Sequence, residues 1–354
     1  MRDTSRIAVS DDEYRLINAL QISPRVPWSV LGSVLGQDPV TLARHWARLE
    51  RCGIAWIGAY LSGNAARASA LLELSCPPSQ VHAVARSLAY DKEVLTIDLT
   101  TGARDLLLTV MCEDLQELER YAIERMRLLP QVVSMRTQLV TSNRLTFDAR
   151  TWRLNVLSPA EIRQLAQYQK SQSERGLAVQ RKPERSERDL IASALRHDPR
   201  MSMESLARYT GMTSQRARDC LGSSLAEGDI VLRTGIARIL SRTPVYAWLF
   251  IKTAAGQVPK TLKSLAAMPE TRLATAIVGS CDIALAAWLK SLEDLERLKT
   301  ALTQQLAIDV VDTSIVMRTP VHLHEWLNED GLRMRDGDGA GIATLGIADP
   351  EDSD

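Results

Sequence analysis

The residues Asp38-Pro-Val-Thr-Leu-Ala-Arg-His-Trp-Ala-Arg-Leu-Glu-Arg-Cys-Gly-Ile54 predict one helix whose two ends are both marked. Asp38 is a good N-cap and Pro39 suits the first helical position, while Gly53 suits the left-handed residue that stops a helix. Apolar residues recur at i, i+4 and i+7 and predict a buried face: Leu42, Trp46 and Leu49. A second set, at i, i+3, i+4 and i+7, predicts a polar face: Thr41, Arg44, His45 and Arg48.

The polar face of this helix fits the DNA major groove, where Arg pairs with guanine edges or phosphates and Thr contacts a base or a thymine methyl. The alternative is a solvated helix with ordinary surface charges. Two shorter helices are predicted upstream, one capped by Asp11 or Asp12 and one from about Pro27 to Leu35. The short connection through Gly36 has the length of the turn in a helix-turn-helix. Downstream, residues 54–60 predict a strand that forms a wing or leads into the next domain.

The run from Leu35 to Ile54 resembles the DNA-binding domain of the Lrp/AsnC (leucine-responsive and asparagine-responsive) transcription regulators. The pattern of that family is Leu-Gly, a Ser-Pro cap, Thr-Val, an Arg pair and Arg-Leu-Glu-x-x-Gly-Ile. This chain departs at Asp38, where the family has Ser, and at His45, where it usually has Arg. The resemblance implies DNA contacts by a set of cap and polar-face residues: Asp38, Thr41, Arg44, His45 and Arg48.

The composition of the 354-residue chain suggests two to four domains and no general attraction to nucleic acid, because 43 basic residues balance 43 acidic ones. DNA binding needs only a local basic face. The five cysteines are scattered, which favours a reduced cytoplasm and disfavours a structural zinc site or a disulfide framework. No membrane span, catalytic set or cofactor motif is predicted. The pair His322 and His324 does not predict a metal site, because it lacks further ligands.

An internal repeat predicts the domain organisation. Ala19-Leu20-x-x-x-Pro24-Arg25 recurs as Ala194-Leu195-x-x-x-Pro199-Arg200, with an offset of 195 − 20 = 175. Thr101-Gly-Ala-Arg-Asp105 corresponds to Val278-Gly-Ser-Cys-Asp282, with an offset of 279 − 102 = 177. Such matches at a nearly constant offset indicate a tandem duplication. The later part of each copy predicts the order βαββαβ, which is a ferredoxin-like sandwich.

The predicted fold class is α+β, with two winged helix-turn-helix domains alternating with two ferredoxin-like βαββαβ (RAM-type) sandwich domains. The predicted segments are residues 1–62 (first helix-turn-helix), 66–142 (first ferredoxin-like), 143–184 (linker with a helix), 185–242 (second, degenerate helix-turn-helix), 243–320 (second ferredoxin-like) and 321–354 (acidic tail, partly disordered). In the linker, Ser158-Pro-Ala-Glu161 is a capping box that opens a helix to about Lys170. The basic residues 169–188 predict a flexible linker or, alternatively, an arm that tracks phosphates, and disorder is predicted from Met334 on.

The second copy of the reading helix has lost most of its basic face. Thr213 or Ser214 is its predicted cap, and the residues that match Thr41, Arg44, His45 and Arg48 are Arg216, Asp219, Cys220 and Ser223. Gly222 in mid-helix weakens it by up to about 1 kcal/mol relative to Ala. Arg216 and Arg218 remain as phosphate contacts near the helix start, so the first copy is expected to read bases and the second mainly to position the protein.

Two turns are candidate effector sites by the same resemblance, because the Gly-x-x-Asp turn between the middle strands of the family's sandwich helps hold an amino acid. The matching residues are Thr101, Gly102, Asp105, Gly279 and Asp282. Gly lets backbone amides approach a carboxylate, and Asp suits an ammonium group. The alternative is that both are ordinary hairpin turns.

The function predicted from these features is a cytoplasmic DNA-binding regulator that responds to an amino acid or small metabolite. It binds double-stranded DNA as an intramolecular pseudo-dimer and assembles further through the ferredoxin-like domains. One alternative is an enzyme, since siroheme decarboxylases look like this fold; however, the His and Arg residues that mark them are missing from residues 91–98, 273–275 and 54–60. The other alternative is an interaction protein that has lost DNA binding.

Overall fold

The computed structural model describes residues 8–61, 68–141, 152–254, 256–306 and 308–334. The described helices are α1 (Asp11–Ile22), α2 (Trp28–Leu35), α3 (Pro39–Arg51), α4 (Val81–Leu88), α5 (Leu115–Arg120), α6 (Pro159–Leu177), α7 (Arg185–His197), α8 (Met203–Thr210), α9 (Ser214–Ala226), α10 (Val258–Ala266) and α11 (Leu292–Leu306). The described strands are β1 (Ala55–Leu61), β2 (Ala68–Ser75), β3 (Val94–Thr100), β4 (Leu106–Cys112), β5 (Ser134–Val140), β6 (Ile230–Ile236), β7 (Val245–Lys252), β8 (Thr271–Val278), β9 (Ile283–Leu289), β10 (Asp309–His322) and β11 (Glu325–Trp326).

The chain divides into two units, and each unit takes one segment from each copy of the repeat. Unit 1 contains the described residues 8–61 together with 153–236, and unit 2 contains 68–141 and Trp152 together with the described residues from Ala237 on. Unit 1 is mainly helical, with the strands β1 and β6, and unit 2 holds the remaining strands. Corresponding segments of the two copies therefore fold together.

The N-cap and the buried face of helix α3 in unit 1 are the ones predicted from the sequence. Its N-cap is Asp38, whose carboxylate accepts a hydrogen bond from the Thr41 N–H at 2.9 Å, and Gly53 follows it with a φ of +66°. The predicted apolar face is confirmed, since its three residues are the buried ones: Leu42, Trp46 and Leu49. The predicted cap of α1 is wrong, because the cap is Ser10 and not Asp11 or Asp12. Ser10 forms a capping box with Glu13, whose backbone N–H it accepts and whose carboxylate reaches back to it.

Strand β1 is not a free wing. It pairs with β6 of the second copy in an antiparallel ladder that runs from Ala55–Ile236 to Leu61–Ile230. All of β1 except Leu61 is buried. The prediction of a wing is corrected, because the unpaired backbone of one copy pairs with the equivalent backbone of the other copy. The alternative, a strand that leads into the next domain, fits the order of elements, since β1 is followed by β2 of the first ferredoxin-like domain.

The predicted flexible linker between the copies is also wrong. Helix α6 opens at the predicted capping box but continues to Leu177, and α7 already begins at Arg185. Basic residues of the connection are held by carboxylates, with Lys182 Nζ at 2.5 Å from Glu227 and Arg188 Nη1 at 2.9 Å from Asp229. These ion pairs, together with the packing of α6 described below, fix a segment whose polar composition suggested mobility.

In unit 2, the two ferredoxin-like domains share one closed sheet. The strand order is β11-β10-β3-β4-β2-β5-β8-β9-β7, and β10 also pairs with β7, so that all the strands except β11 form a ring. One joint is the short β5–β8 ladder, in which Leu139 lies opposite Val278. The other joint is β10, whose first half pairs with β7 and whose second half pairs with β3. Each strand of the ring has a neighbour on both sides, but the β5–β8 ladder has only two residue pairs, so most of the facing edges of β5 and β8 lie outside this ladder.

The long strand β10 corrects the predicted start of the C-terminal tail. Residues 321–334 are ordered, because β10 extends to His322 and β11 folds back on it, with Val321 opposite Trp326. The disorder predicted beyond Met334 lies outside the described residues. None of the described helices has the length and apolar character needed to cross a bilayer.

The ring separates apolar clusters on the helix-covered face of the strands from a more polar interior. Leu72 and Leu74 of β2 pack with Leu88 and Leu118 on the covered face of the first domain. Because strand side chains alternate, Glu73 between them lies on the opposite face, towards the interior. Glu73 is nevertheless only 5% exposed, so this buried carboxylate needs a partner.

Candidate nucleic-acid interface and ligand-binding turns

The exposed face of α3 is displaced by about one residue from the predicted polar face. The exposed side chains are Val40, Arg44, Ala47 and Arg51. Val40 is 75% exposed and adds apolar surface to this face. Thr41, His45 and Arg48 are only partly exposed, and the His45 Nδ1 atom is buried without a hydrogen bond among the described residues. Of the four predicted polar-face residues, only Arg44 lies fully on the exposed face.

Arg48 is occupied by a carboxylate of its own unit. Its Nε donates to Glu13 Oε1 at 2.8 Å and its Nη2 donates to Glu13 Oε2 at 2.6 Å, while Nη2 also reaches the Ala8 carbonyl at 3.1 Å. Burial raises the pKa of Glu13, but the hydrogen bonds from Arg48 and Ser10 outweigh it and hold the pKa below its usual value. Arg48 therefore fastens α3 to α1, and the carboxylate of Glu13 largely neutralises its charge.

Arg44 and Arg51 form no hydrogen bond or ion pair with another described residue. They lie on the same exposed face, seven residues apart along α3. A solvated guanidinium without a protein partner keeps all five of its N–H donors for another molecule. The exposed face of α3 thus combines two available cations with the apolar surface of Val40 and Ala47.

The corresponding surface of α9 is covered by α6. A Cβ atom added to Gly176 of α6 would lie 2.1 Å from the Gly222 carbonyl oxygen of α9, so the two backbones touch at this crossing. Cys220 and Ser223 of α9 are fully buried. Gly222, which was predicted to weaken α9, therefore lies where α6 crosses α9 in close contact.

The N-terminal end of α9 remains accessible, but Arg216 is engaged. Thr213 is the cap, since its hydroxyl accepts from the Arg216 N–H at 3.2 Å, and Ser214 is the first helical residue. Arg216 donates to both carboxylate oxygens of Glu187 at 2.9 and 2.5 Å. Arg218 is exposed and contacts Gln215 at 3.0 Å. Arg216 plays the part in α9 that Arg48 plays in α3, while Arg218 stays available.

The repeated Pro-Arg pairs hold the two copies together in unit 1. Arg25 donates through Nη1 to the Pro199 carbonyl and through Nη2 to the Met201 carbonyl at 2.6 Å. Arg200 returns the arrangement, donating to the Pro24 carbonyl at 2.5 Å and to the Val26 carbonyl at 2.7 Å. The motif that revealed the duplication is therefore a reciprocal clasp between the copies.

The predicted effector turns lie at the joints of the ring, and the protein's own groups occupy their polar atoms. The Thr101 N–H donates to the Ile315 carbonyl at 2.9 Å, and the Thr101 hydroxyl accepts from the Ile315 N–H at 3.0 Å. Gly102 has a φ of +92°, which favours glycine, and packs against β10. These bonds match the alternative prediction of a structural hairpin turn.

The aspartates and the second glycine of these turns are also engaged. Asp105 accepts the Cys76 N–H at 2.9 Å, and Asp282 accepts the Thr253 N–H at the same distance. Gly279 lies against the Gln138 side chain, whose Oε1 atom would be 1.6 Å from an added Cβ. A ligand at either turn would have to compete with these contacts.

Arg104, inside the first turn, is a buried residue whose role the sequence does not indicate. It is 4% exposed, and its Nε lies 3.0 Å from Glu73 Oε2. Its Nη1 donates to Ser314 Oγ at 2.7 Å and its Nη2 contacts Asp312. The guanidinium also lies 4.3 Å from the centroid of the Phe250 ring. One cation thus joins β2 of the first domain to β7 and β10 of the second.

A family model, that of the Lrp/AsnC ligand-binding domain, matches the chain twice, over residues 69–147 and 246–325. These segments contain the two βαββαβ folds and both turns. The chain therefore contains two copies of the Lrp/AsnC ligand-binding domain. The resemblance to the Lrp/AsnC regulators, seen in residues 35–54, is thereby confirmed by the ligand-binding domain that follows in each copy.

Among the proteins similar to this chain is an uncharacterised HTH-type transcriptional regulator of Pyrococcus abyssi, 27% identical over 142 residues, which are 39% of this chain and 89% of that protein. A second such regulator, of Pyrococcus horikoshii, is 26% identical over the same length. The solved structure of the siroheme decarboxylase NirDL covers 90% of this chain and 95% of that one, with a TM-score of 0.54 and 13% identity. At that identity the likeness shows a shared fold alone.

The interior of the Lrp/AsnC ring also contains Asp98, a fully buried carboxylate of the first domain. It accepts hydrogen bonds from Tyr246 Oη at 3.0 Å, Trp248 Nε1 at 2.9 Å and Thr319 Oγ1 at 2.7 Å. Burial raises the pKa of Asp98, and these bonds act in the opposite direction. Asp98 takes these three partners from the second domain, as Arg104 takes Ser314 and Asp312, which explains why its role is invisible in the sequence of the first domain.

Replacing Glu187 with Gln is expected to remove part of the acid sensitivity of unfolding. Hydrogen bonds from Arg216, with the backbone N–H of Glu184, lower the pKa of Glu187 from 4.5 to about 2. A carboxylate of this kind contributes stability that is complete above 4.5 and is lost as the pH falls towards about 2. Urea unfolding at a series of pH values should show a smaller acid loss for Glu187→Gln than for the exposed control Glu204→Gln, and equal losses would contradict the assignment.

Proposed function

We propose that this chain is a DNA-binding transcription regulator in which α1–α3 form a helix-turn-helix and α3 reads the major groove. The observation that carries the proposal is the exposed face of α3, with Arg44 and Arg51 available and Val40 beside them. The HTH-type regulators among its relatives and the duplicated Lrp/AsnC domain support the same role. Double-stranded DNA is the partner.

The residues of the exposed face are expected to contact different parts of the DNA. Arg44, one turn inside the helix, suits a guanine edge, and Arg51, near its end, suits a phosphate. Val40 and Ala47 can contact the methyl group of thymine. Arg48, which the sequence also placed on this face, acts indirectly by holding α3 against Glu13 of α1, and His45 is only partly exposed.

We propose that the two copies of the pseudo-dimer contact DNA unequally, with α3 reading bases and α9 contacting at most a phosphate. The middle of α9 is covered by α6, so only its first turn, with Arg218, can meet a phosphate. A single chain would then read one half-site with α3. Reading of a symmetric operator would require a homo-oligomer, which we propose forms through the ferredoxin-like domains.

The double variant Arg44→Ala/Arg51→Ala is expected to bind DNA at least ten-fold more weakly than the native chain, since each base or phosphate contact contributes about 1–3 kcal/mol. The duplex is first selected from a random pool with the native chain, and affinities are then titrated at fixed salt. The matched control is Arg208→Ala/Arg218→Ala, two exposed arginines of the second copy, which should lose much less. Arg48 and Arg216 are avoided because each holds a carboxylate of its unit.

Two outcomes of this experiment would contradict the proposal. Equal losses in the two double variants would mean that α3 has no special part in reading. Failure to enrich any duplex from the random pool would favour an interaction protein without DNA binding.

We also propose that a small molecule regulates the protein, because the Lrp/AsnC domain in both copies is a ligand-binding domain. At the two predicted turns, such a ligand would displace the bonds of Thr101 or the contact between Gly279 and Gln138. The turns are tested by adding amino acids singly and measuring the melting temperature and the affinity for the selected duplex. An effect that vanishes in Thr101→Val, which removes the hydroxyl, would place the ligand at the first turn.

A tetrapyrrole-binding enzyme is the second candidate, because the fused siroheme decarboxylase shares the fold over 90% of this chain. The missing His and Arg residues in the segments named above oppose it. A spectral titration with an iron-uroporphyrin separates the two functions. A shift of the Soret band at stoichiometric concentration would favour the enzyme, and the regulator proposal expects none.

A further inference from the structure

A cleft of about 420 Å³ lies at the clasp between the two copies in unit 1. Its volume suits a small metabolite. Its side chains come from both copies and combine two cations, two anions and a set of apolar surfaces: Arg25, Trp28, Trp46, Glu50, Asp198, Arg200, Met201 and Met203. The cleft lies on the side of α3 opposite its exposed face, since it is lined by Trp46 and Glu50.

The two guanidiniums of the clasp supply positive charge to the cleft. Each guanidinium donates two of its five N–H groups to backbone carbonyls of the other copy. The other N–H groups are not used in the clasp. Burial lowers the pKa of Arg200 to about 10, and the nearby charge of Arg25 adds to this effect. Two like charges in a partly buried place favour an anion beside them.

The two carboxylates supply the opposite sign on the same cleft. Glu50 and Asp198 both raise the pKa of Arg200 through their charge, so both lie close to the guanidiniums. Asp198 also accepts the Arg200 backbone N–H at 2.9 Å. With one carboxylate from each copy, the cleft is suited to a cation as well as an anion.

The rest of the lining is aromatic or contains sulfur. The Trp28 ring lies under the Arg200 guanidinium at 4.0 Å from its centroid, and Met201 is almost fully buried. Trp46 is 3% exposed, yet its indole N–H has no hydrogen-bond acceptor among the described residues. A buried donor without a partner on the wall of a cleft points to an acceptor that a ligand would bring.

We propose that this cleft binds a small zwitterion with a large apolar side chain. Its carboxylate faces the guanidinium pair and the Trp46 N–H, its ammonium group faces Glu50 and Asp198, and its side chain packs against Trp28 and the methionines. The site is distinct from the turns of the ring, and the inference does not depend on DNA binding. A ligand here contacts both copies and the covered side of α3, so it would stabilise the clasp.

The probes for this site are L-tryptophan, L-phenylalanine and L-methionine, titrated calorimetrically into the full chain. Tryptamine, which lacks the carboxylate, and indole-3-propionate, which lacks the ammonium group, are the single-charge comparisons. At least one zwitterion should bind with a 1:1 stoichiometry and at least ten-fold more tightly than the matching single-charge compound. Absence of binding by all three amino acids at millimolar concentration, or equal binding of the single-charge compounds, would overturn the proposal.

Two variants locate the site. Glu50→Gln and Asp198→Asn each remove one negative charge, and Asn keeps an acceptor for the Arg200 N–H; both should weaken binding about ten-fold or more while circular dichroism stays unchanged. The matched control is Glu174→Gln, an exposed carboxylate of α6 that does not line the cleft, which should bind as the native chain does. Unchanged affinity in both variants would place the ligand elsewhere, the turns included, and overturn the proposal whatever the result with DNA.

Discussion

Replacing Arg104 with Ala is expected to lower the free energy of unfolding by about 3–5 kcal/mol, because it leaves the buried carboxylate of Glu73 without its cation. Glu73 is 5% exposed and lies 3.0 Å from the Arg104 Nε, and Asp312 contacts the same guanidinium. The variant also loses the bond to Ser314 and the stacking on Phe250. Because these partners belong to both ferredoxin-like domains, the loss should appear as a lower urea midpoint for unit 2.

The control for this prediction is Arg163→Ala, which removes an exposed arginine of α6 and should change the free energy of unfolding by less than about 0.5 kcal/mol. A double variant, Arg104→Ala with Glu73→Gln, should recover part of the loss, since it removes one of the stranded charges. Gln at this position can still accept the Gln138 side-chain N–H, which is 2.9 Å from Glu73. A loss below about 1 kcal/mol for Arg104→Ala, or no recovery in the double variant, would mean that solvent reaches these carboxylates.

Replacing Gly176 with Ala is expected to destabilise unit 1 by about 1–3 kcal/mol, because overpacking at a close helix crossing forces the backbone to move. The added Cβ would lie 2.1 Å from the Gly222 carbonyl oxygen and 2.8 Å from the Ala226 Cβ, and neither atom belongs to a flexible side-chain end. Helix α6 would have to shift away from α9. Hydrogen exchange should therefore rise in α9, around the buried Ser223.

The partner glycine provides a matched control across the same crossing. A Cβ on Gly222 would meet only the Gly176 Cα, at the ordinary contact distance of 3.5 Å. Gly222→Ala should therefore be neutral or stabilise the chain by up to about 1 kcal/mol through its higher helix propensity. If the two substitutions shift the urea midpoint equally, α6 does not press on α9 as described.

Local features of the fold could be predicted from the chain because their causes lie a few residues apart. Asp38 caps α3 through the N–H of Thr41, three residues away, and Ser158 caps α6 through Glu161 in the same way. The alternation and spacing of apolar residues likewise predicted the two βαββαβ orders, since burial follows the helix and strand periods. These signals need no knowledge of what packs against the element.

The sequence could not show contacts between residues that are distant in the chain. Arg48 is predicted as a DNA contact, and nothing in its motif indicates that it also binds Glu13, which is 35 residues away. The polar connection 169–188 looked mobile, but α6 packs on α9 where two glycines meet. Arg104 attracted no notice, because its partner Asp312 lies 208 residues along the chain. An isolated motif carries no information about such a partner.

The order of residues was sufficient to establish the duplication, the family, the helix with its capped ends and the place of the two turns. Folding in three dimensions settled which copy keeps an accessible helix face, which arginines are already neutralised and how the two sheets close into one ring. The difference is physical: caps and periodicity arise from bonds within one or two turns of chain. The availability of a charge depends on burial and on carboxylates supplied by the other copy of the repeat.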